Sequence, residues 1–333
     1  MAHRKLVLAG DIGGTKTHVA LFALDNDKLR AVEKSTFSSK QYSGLEPVLK
    51  EFLANHKQSI DGACFGVAGP VVGGIVKTPN LPWVVDAAKI ARLLQFPQVA
   101  LLNDLEAGAY GIFTLESHEL LTLNDGEVRR PGNKVLISAG TGLGEATLYD
   151  DGREYYPSAS EGGHGDFAPK DETEIELLRY LIEKFGHVSY ERVVSGPGLF
   201  NIYNFLRDSG RLPEPGWLKE KLSAANDPSA VISQGALSAE SEICVNALDL
   251  FVSVYGAEAG NLALRGKATG GVYVGGGIAP KILGKLKEGS FMRAFVDKGR
   301  YAELLSAMPV QVILNDQAAL QGAAYYAAFR SHG

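Results

Sequence analysis

The hydrophobic positions of this chain come in short continuous runs before they come at helical spacing. Leu6 to Ala9 is apolar over the length of a buried strand, His18 to Leu24 reads as a second strand, and Ala31 to Phe37 as a third. Leu45 to Leu53 then shows the three-and-four spacing of a one-sided helix. Gly62 to Val67 and Gly74 to Lys77 return to strand character. Asp86 is placed to cap a helix running to about Leu94, with Pro97 beyond its end. Val99 to Leu102 is another short strand, ending at Asn103-Asp104.

From about Asn133 the pattern restarts. Val135 to Ser138 is a buried strand, Gly140 to Gly144 a glycine turn, and Ala146 to Tyr149 the returning strand. Helical spacing dominates Glu172 to Arg265, broken by the loop Ser209 to Gly216. A strand at Gly271 to Val274, a glycine turn at Gly275 to Gly277, a strand at Val310 to Leu314 and a helix at Ala318 to Arg330 complete the chain. Both halves thus open as strand, glycine turn, strand. Their letters differ too much for a sequence repeat, but the shared order predicts two α/β lobes with a cleft between them.

Composition narrows the function classes. The 333 residues are 45% apolar and 21% charged, enough for two cores. A net charge of −5 with no Lys/Arg run argues against a nucleic-acid partner, which would call for a basic face. Cys64 and Cys244 are too few and too far apart for a disulfide framework or a multi-cysteine zinc site, so both are expected in the core. The apolar run in MAHRKLVLAGD is too short for a signal peptide. Ile243 to Leu264 contains Asp249, Glu258 and Asn261 and makes a poor membrane span; it suits a helix buried in a large domain. A cytoplasmic protein without a membrane partner is expected.

Three glycine turns follow strands, around Asp11, Gly142 and Gly276. Glycine lets backbone N–H groups approach an anion without a Cβ in the way. Each turn taken singly fits an ordinary tight loop equally well. Gly10 to Thr17 (GDIGGTKT) lacks the Gly-Lys step of a P-loop, and Gly140 to Gly144 (GTGLG) lacks dinucleotide-fold spacing. A strand follows each of these two, so both are expected to turn hairpins, with no phosphate held at a helix N-terminus. Such hairpins suit a nucleotide gripped from two lobes. Asp11 offers a carboxylate to a Mg²⁺ ion escorting the phosphates, directly or through water. Thr15 and Thr141 add hydroxyls.

At these residues the chain resembles a known group. DIGGTKT (Asp11 to Thr17) resembles the phosphate-1 motif of the actin–hexokinase–chaperone ATPase superfamily, GTGLG its phosphate-2 motif, and VGGG (Val274 to Gly277) its adenosine motif. LNDLEAGAYGI (Leu102 to Ile112), EGGHGDFAP (Glu161 to Pro169) and ERVVSGPG (Glu191 to Gly198) are more closely similar to the bacterial glucokinase family. VILNDQAALQGAA (Val312 to Ala324) fits that family's C-terminal end. The related repressor-type sugar kinases carry a cysteine-rich zinc motif soon after their EGGH equivalent, and no cysteine stands in the residues just after His164 here.

The resemblance implies two ribonuclease-H-like lobes. The small lobe is residues 1–113, with the helix 316–333 returning to it, and the large lobe is residues 114–315. It implies an ATP- and Mg²⁺-dependent kinase acting on the 6-hydroxyl of a hexose, most readily glucose, and a homodimer. A kinase for another hexose and a non-catalytic sugar sensor stay open at this point. The nucleotide residues would be Asp11, Gly13, Gly14, Thr15, Gly140, Thr141, Gly142, Gly275, Gly276 and Gly277. The sugar contacts would be Asn80, Asn103, Asp104, Glu161, His164 and Glu191, with Asp104 the acceptor of the hydroxyl proton. By its place at a helix start Asp104 also reads as an N-cap. Glu191 also reads as a surface carboxylate or a partner of Arg192, and Asn80 as a turn amide.

Overall fold

The computed structural model describes residues 5–56, 59–79, 81–127 and 131–330. The chain divides into two compact units, Met1–Glu119 with Asn315–Gly333, and Leu120–Leu314.

In the first unit, β1 (Leu6–Ile12), β2 (Lys16–Asp25) and β3 (Lys28–Ser38) are joined antiparallel. β4 (Gly62–Val67) lies parallel to β1 on its other side. A small ribbon of β5 (Ile75–Lys77) and β6 (Val84–Asp86) stands apart from the sheet, and β7 (Ala100–Asn103) adds parallel to β4. The sheet order is therefore β3-β2-β1-β4-β7. Helices α1 (Leu45–Leu53), α2 (Ala87–Leu94) and α3 (Asp104–Gly111) follow β3, β6 and β7. Asp86 caps α2 as its position predicts, accepting from the Ala88 and Lys89 N–H groups.

Because side chains alternate along a strand, β1 feeds two cores. Leu6 and Leu8 pack with Val48 and Leu49 of α1 and Ile90 of α2. Val7 and Ala9 face the other way, onto Ala107 of α3 and Leu320, Ala323 and Ala327 of the C-terminal helix Ala318–Phe329. That helix lies directly on α3. A Cβ on Gly322 would stand 1.8 Å from the Ala107 carbonyl oxygen, and one on Gly111 would stand 2.0 Å from that of Ala318.

The second unit repeats the first sheet's order. β8 (Leu120–Asn124) sits at one edge, and β9 (Lys134–Ala139), β10 (Leu143–Asp150) and β11 (Tyr155–Ser160) form the antiparallel part. β12 (Gly271–Gly275) and β13 (Val310–Ile313) continue in parallel from β9, giving β11-β10-β9-β12-β13-β8. The architectural repeat is thus present as topology: a hairpin with an outer third strand, then two parallel strands. β8 and β11 are additions to the sequence-based expectation. Neither has a continuous apolar run, because each is an edge strand with much of its surface exposed or half-exposed.

Five longer helices cover this sheet: α4 (Glu172–Phe185), α5 (Gly196–Asp208), α6 (Gly216–Ala224), α7 (Pro228–Leu237) and α8 (Glu242–Gly266). Further short helices follow, including α9 (Leu283–Lys287) and α10 (Ser290–Val296). α8 has the length and composition of a membrane span, yet it is buried along most of its surface against α5, α7 and α10. Cys244, on α8, and Cys64, on β4, are both buried thiols.

The contact between α3 and the C-terminal helix is backbone on backbone, so it should tolerate no added methyl. Gly322→Ala is expected to cost about 1–3 kcal/mol or more, the usual range for forced overpacking. Urea denaturation measures this. An unchanged midpoint would mean that the two helices separate without loss.

Candidate active site

The first unit gathers its polar residues at the C-terminal ends of the parallel strands β1, β4 and β7. Asp11 is in register with Gly66, and Val67 with Asn103. The glycine turn Gly13 to Thr15 joins β1 to β2 as a hairpin and is braced from behind. Ser39 donates its hydroxyl to the Gly13 carbonyl at 2.8 Å and its N–H to the Thr15 carbonyl at 3.0 Å. Thr17 Oγ1 lies 3.0 Å from Ser39 Oγ. Gly14 is half-buried and Thr15 exposed on the outer side of the turn.

α3 starts against β4 because Gly66 has no side chain: a Cβ there would lie 2.8 Å from the Ala107 Cβ. The N-cap of α3 is Asn103, so the alternative reading of Asp104 as the cap does not hold. Asn103 Oδ1 accepts from the Leu105 N–H at 2.9 Å, and Asn103 Nδ2 donates to the Gly69 carbonyl at 3.1 Å. Asp104 is the first helical residue, and its Oδ1 also meets the Leu105 N–H at 3.0 Å. The Asp11 carboxyl is pushed up to about 7, chiefly by burial and then by the Asp104 carboxylate. Asn80 lies outside the described residues.

In the second unit Gly140 to Gly142 turn β9 into β10, with the Gly140 N–H donating to the Gly142 carbonyl at 2.8 Å. The turn after β12 crosses the end of β9. Gly276 has a φ of +83°, and a Cβ on it would meet the Ala139 carbonyl oxygen at 2.2 Å, so only glycine fits. Gly275 is buried as the last residue of β12, while Gly277 is exposed.

Beside these turns is a hollow of about 600 Å³, lined by Gly140, Thr141, Pro197, Phe200, Gly277 and Lys281 among others. The start of α5 opens onto it. Ser195 caps that helix, and the Gly196 N–H donates to the Gly140 carbonyl at 2.8 Å. The second glycine turn closes its hairpin as expected, and a helix N-terminus stands beside it as well. That N-terminus joins Lys281 as a source of positive potential. The sequence signal for it was SGPG, serine followed by proline at a helix start.

Glu161 and His164 flank a 3-10 turn, Gly162–His164, and both are exposed, with Nε2 and Oε2 4.0 Å apart. The loop is tied down by backbone bonds: His164 N–H to Glu161 O at 3.0 Å and Tyr190 N–H to Gly165 O at 3.0 Å. Glu191 does not pair with Arg192. Its Oε2 accepts from the Leu143 N–H at 3.0 Å, while the Arg192 guanidinium stacks on Phe185 at 4.3 Å. A Cβ on Gly142 would sit 2.5 Å from that same Glu191 oxygen, so Glu191 is packed beneath the second glycine turn.

The geometry of both units has counterparts among known proteins. A family profile described as Glucokinase matches residues 8–330. A glucokinase of Nostoc sp. (strain PCC 7120) is 43% identical over 97% of this chain and 99% of its own length. A glucokinase of Trichormus variabilis is 42% identical with the same coverage. The crystal structure of a glucokinase from an Antarctic psychrotroph superposes with a TM-score of 0.85 at 30% identity, covering 97% of this chain and 99% of that one.

Asp11 gives the site a pH signature. A carboxyl that keeps its proton in the folded chain to about pH 7 has lost it near pH 3.8 in the unfolded chain. The folded state therefore loses stability as pH rises through that window, and the penalty is complete above about 7. Without metal or nucleotide, Asp11→Asn should melt above the parent at pH 8 and close to it at pH 4.5. Equal melting temperatures at pH 8 would contradict the burial of this charge.

Proposed function

The chain belongs to the glucokinase family, and from that premise we propose how its residues divide the work of transferring the γ-phosphoryl group of ATP to glucose. Asp104 accepts the proton of the 6-hydroxyl as that oxygen attacks. The placement of Asp104 carries this reading: it stands on the first turn of α3, at the strand ends beside Asp11, where Asn103 acts as the cap. A carboxylate at this point then has chemistry, rather than capping, as its reason to be acidic.

Glu161, His164 and Glu191 in the second unit, with Asn80 and Asn103 in the first, are the proposed partners of the other sugar hydroxyls. A neutral polyol is recognised only by paired donors and acceptors, because a buried polar group left unpaired by a wrong sugar is costly. Backbone amides of the turns at Gly13 and Gly142, together with the positive end of α5 and Lys281, face charge spreading over the phosphates. The hollow beside Thr141 and Gly277 takes the nucleotide, with Pro197 and Phe200 supplying apolar surface to the base.

Magnesium fits the residues present. The Asp104 carboxylate makes ionising Asp11 more costly, a conflict that a divalent cation would relieve, and one or two carboxylates with phosphate oxygens are the usual donor set for Mg²⁺. Among the described residues no cluster of three or more His, Cys, Asp or Glu is placed to hold a metal by itself. Asp11 would hold the ion directly or through water, and the ion would neutralise phosphate charge. A cytoplasmic homodimer completes the proposal.

Asp104→Asn tests the assignment. Loss of a general base costs about 10²–10⁴ in rate, and the lower half of that range is expected where little proton transfer precedes phosphoryl transfer. The KM for ATP and the melting temperature should stay near those of the parent, since Asn103 still caps α3. A folded variant with kcat within about threefold of the parent, well short of the general-base range, would remove Asp104 from the chemistry.

A further inference from the structure

Beneath the EGGH loop of the second unit lies a charged cluster that phosphoryl transfer does not use. Glu145 on β10 and Glu258 on α8 are 1% and 0% exposed. Arg265, further along α8, donates to both, at 3.1 Å to Glu145 Oε2 and to Glu258 Oε1. The two carboxyl groups thus share one cation, and Glu145 Oε1 is buried without a hydrogen-bond partner. Two buried carboxylates beside a single guanidinium would leave one negative charge uncompensated, a cost that one proton held within the pair removes.

The pair touches both segments of the proposed sugar site. A Cβ on Gly162 would lie 2.2 Å from Glu145 Oε2, so the loop rests on that carboxyl. Ser160 ties the same place, donating its hydroxyl to the Glu145 carbonyl at 3.2 Å and accepting the Gly162 N–H at 3.2 Å. On the other side Glu258 Oε2 accepts from Asn261 at 2.9 Å, and Asn261 reaches Tyr190 Oη at 3.0 Å. Tyr190 directly precedes Glu191. Glu161 and His164 are thus seated through Glu145, and Glu191 through Tyr190 and Glu258.

We infer that Glu145 and Glu258, bridged by Arg265, are positioning residues for sugar recognition, and that the proton they share keeps the Glu161–His164 loop in place. This rests on the proposed role of that loop. With both acids ionised, one Arg265 faces two buried charges, and the repulsion would fall on the carboxyl against which Gly162 packs. Burial and then Glu258 push Glu145 up to about 8, against the pull of Arg265. The remaining titratable or charged groups at the pair are Tyr190 and, near Glu258, Lys298. The seat is therefore intact at neutral pH and loosens above about 8.

The test is the KM for glucose and for ATP between pH 7 and 9, by coupled ADP release, for the parent, Glu145→Gln, Glu145→Ala and Glu161→Gln. The parent's glucose KM should rise about tenfold with pH, a displacement of the contacts well within what misplacement costs. Glu145→Gln keeps the bonds with nothing to titrate, so its glucose KM should stay flat. Glu145→Ala should show a KM raised about tenfold at every pH, and ATP KM should hold throughout. Identical pH profiles for the parent and Glu145→Gln would overturn the inference, as would a folded Glu145→Ala with the parent's glucose KM. If Glu145→Ala does not fold, the Gln comparison decides alone. An unchanged glucose KM in Glu161→Gln would instead sink the sugar-loop reading itself.

Discussion

Leu143 brings only backbone to the site, and two segments are built on it. Its N–H holds the Glu191 carboxylate, and its carbonyl lies where a Cβ on Gly163 would be, 2.1 Å away. The turn just before it takes the Gly196 N–H through the Gly140 carbonyl and so anchors the start of α5. One hairpin therefore sets the second glycine turn, the hollow beside it and both segments proposed to hold the sugar. Backbone can pack on backbone this closely only where glycine faces it. Any side chain at Gly142, Gly163 or Gly276 would fill the space that the neighbouring segment occupies.

The first unit reaches a similar end with one strand-end glycine and a helix. Gly66 admits α3 to the face of β4, and the first turn of α3 then brings Asp104 to Asp11. A neighbouring acid so placed makes ionisation costly at Asp11, and the same is true at Glu145. In each case burial is the larger cause and a neighbouring acid the second. Carboxyls held above their ordinary range by their surroundings are common where a protein does chemistry or holds a ligand in register. The cost at Asp11 is one that the proposed magnesium ion would relieve, and the cost at Glu145 one that the proposed shared proton removes.

Much of this was legible along the chain. Leu45 to Leu53 and Gly62 to Val67 fold over the spans their patterns predict, and Asp86 caps α2 as placed. The glycine turns at Gly13 and Gly142 close hairpins because a strand follows each. β8 and β11 were not legible. An edge strand buries too little to need a continuous apolar run, so its letters resemble loop. The division of labour between Asn103 and Asp104 was also hidden, since both are good N-caps and only the observed backbone decides which one serves.

What the sequence determined alone is what depends on neighbours in the chain: strand and helix periodicity, turns that need glycine, caps, and the motifs that carry the family resemblance. What the tertiary structure decided is whatever depends on residues brought together from far apart. Glu191 meets Leu143 across 48 positions, Arg265 meets Glu145 across 120, and α5 aims its positive end at a turn formed more than fifty residues earlier. The physical reason is that a carboxylate's partner and its burial are properties of the packed interior. The same glutamate is a solvated surface charge in one packing and the seat of a binding loop in another.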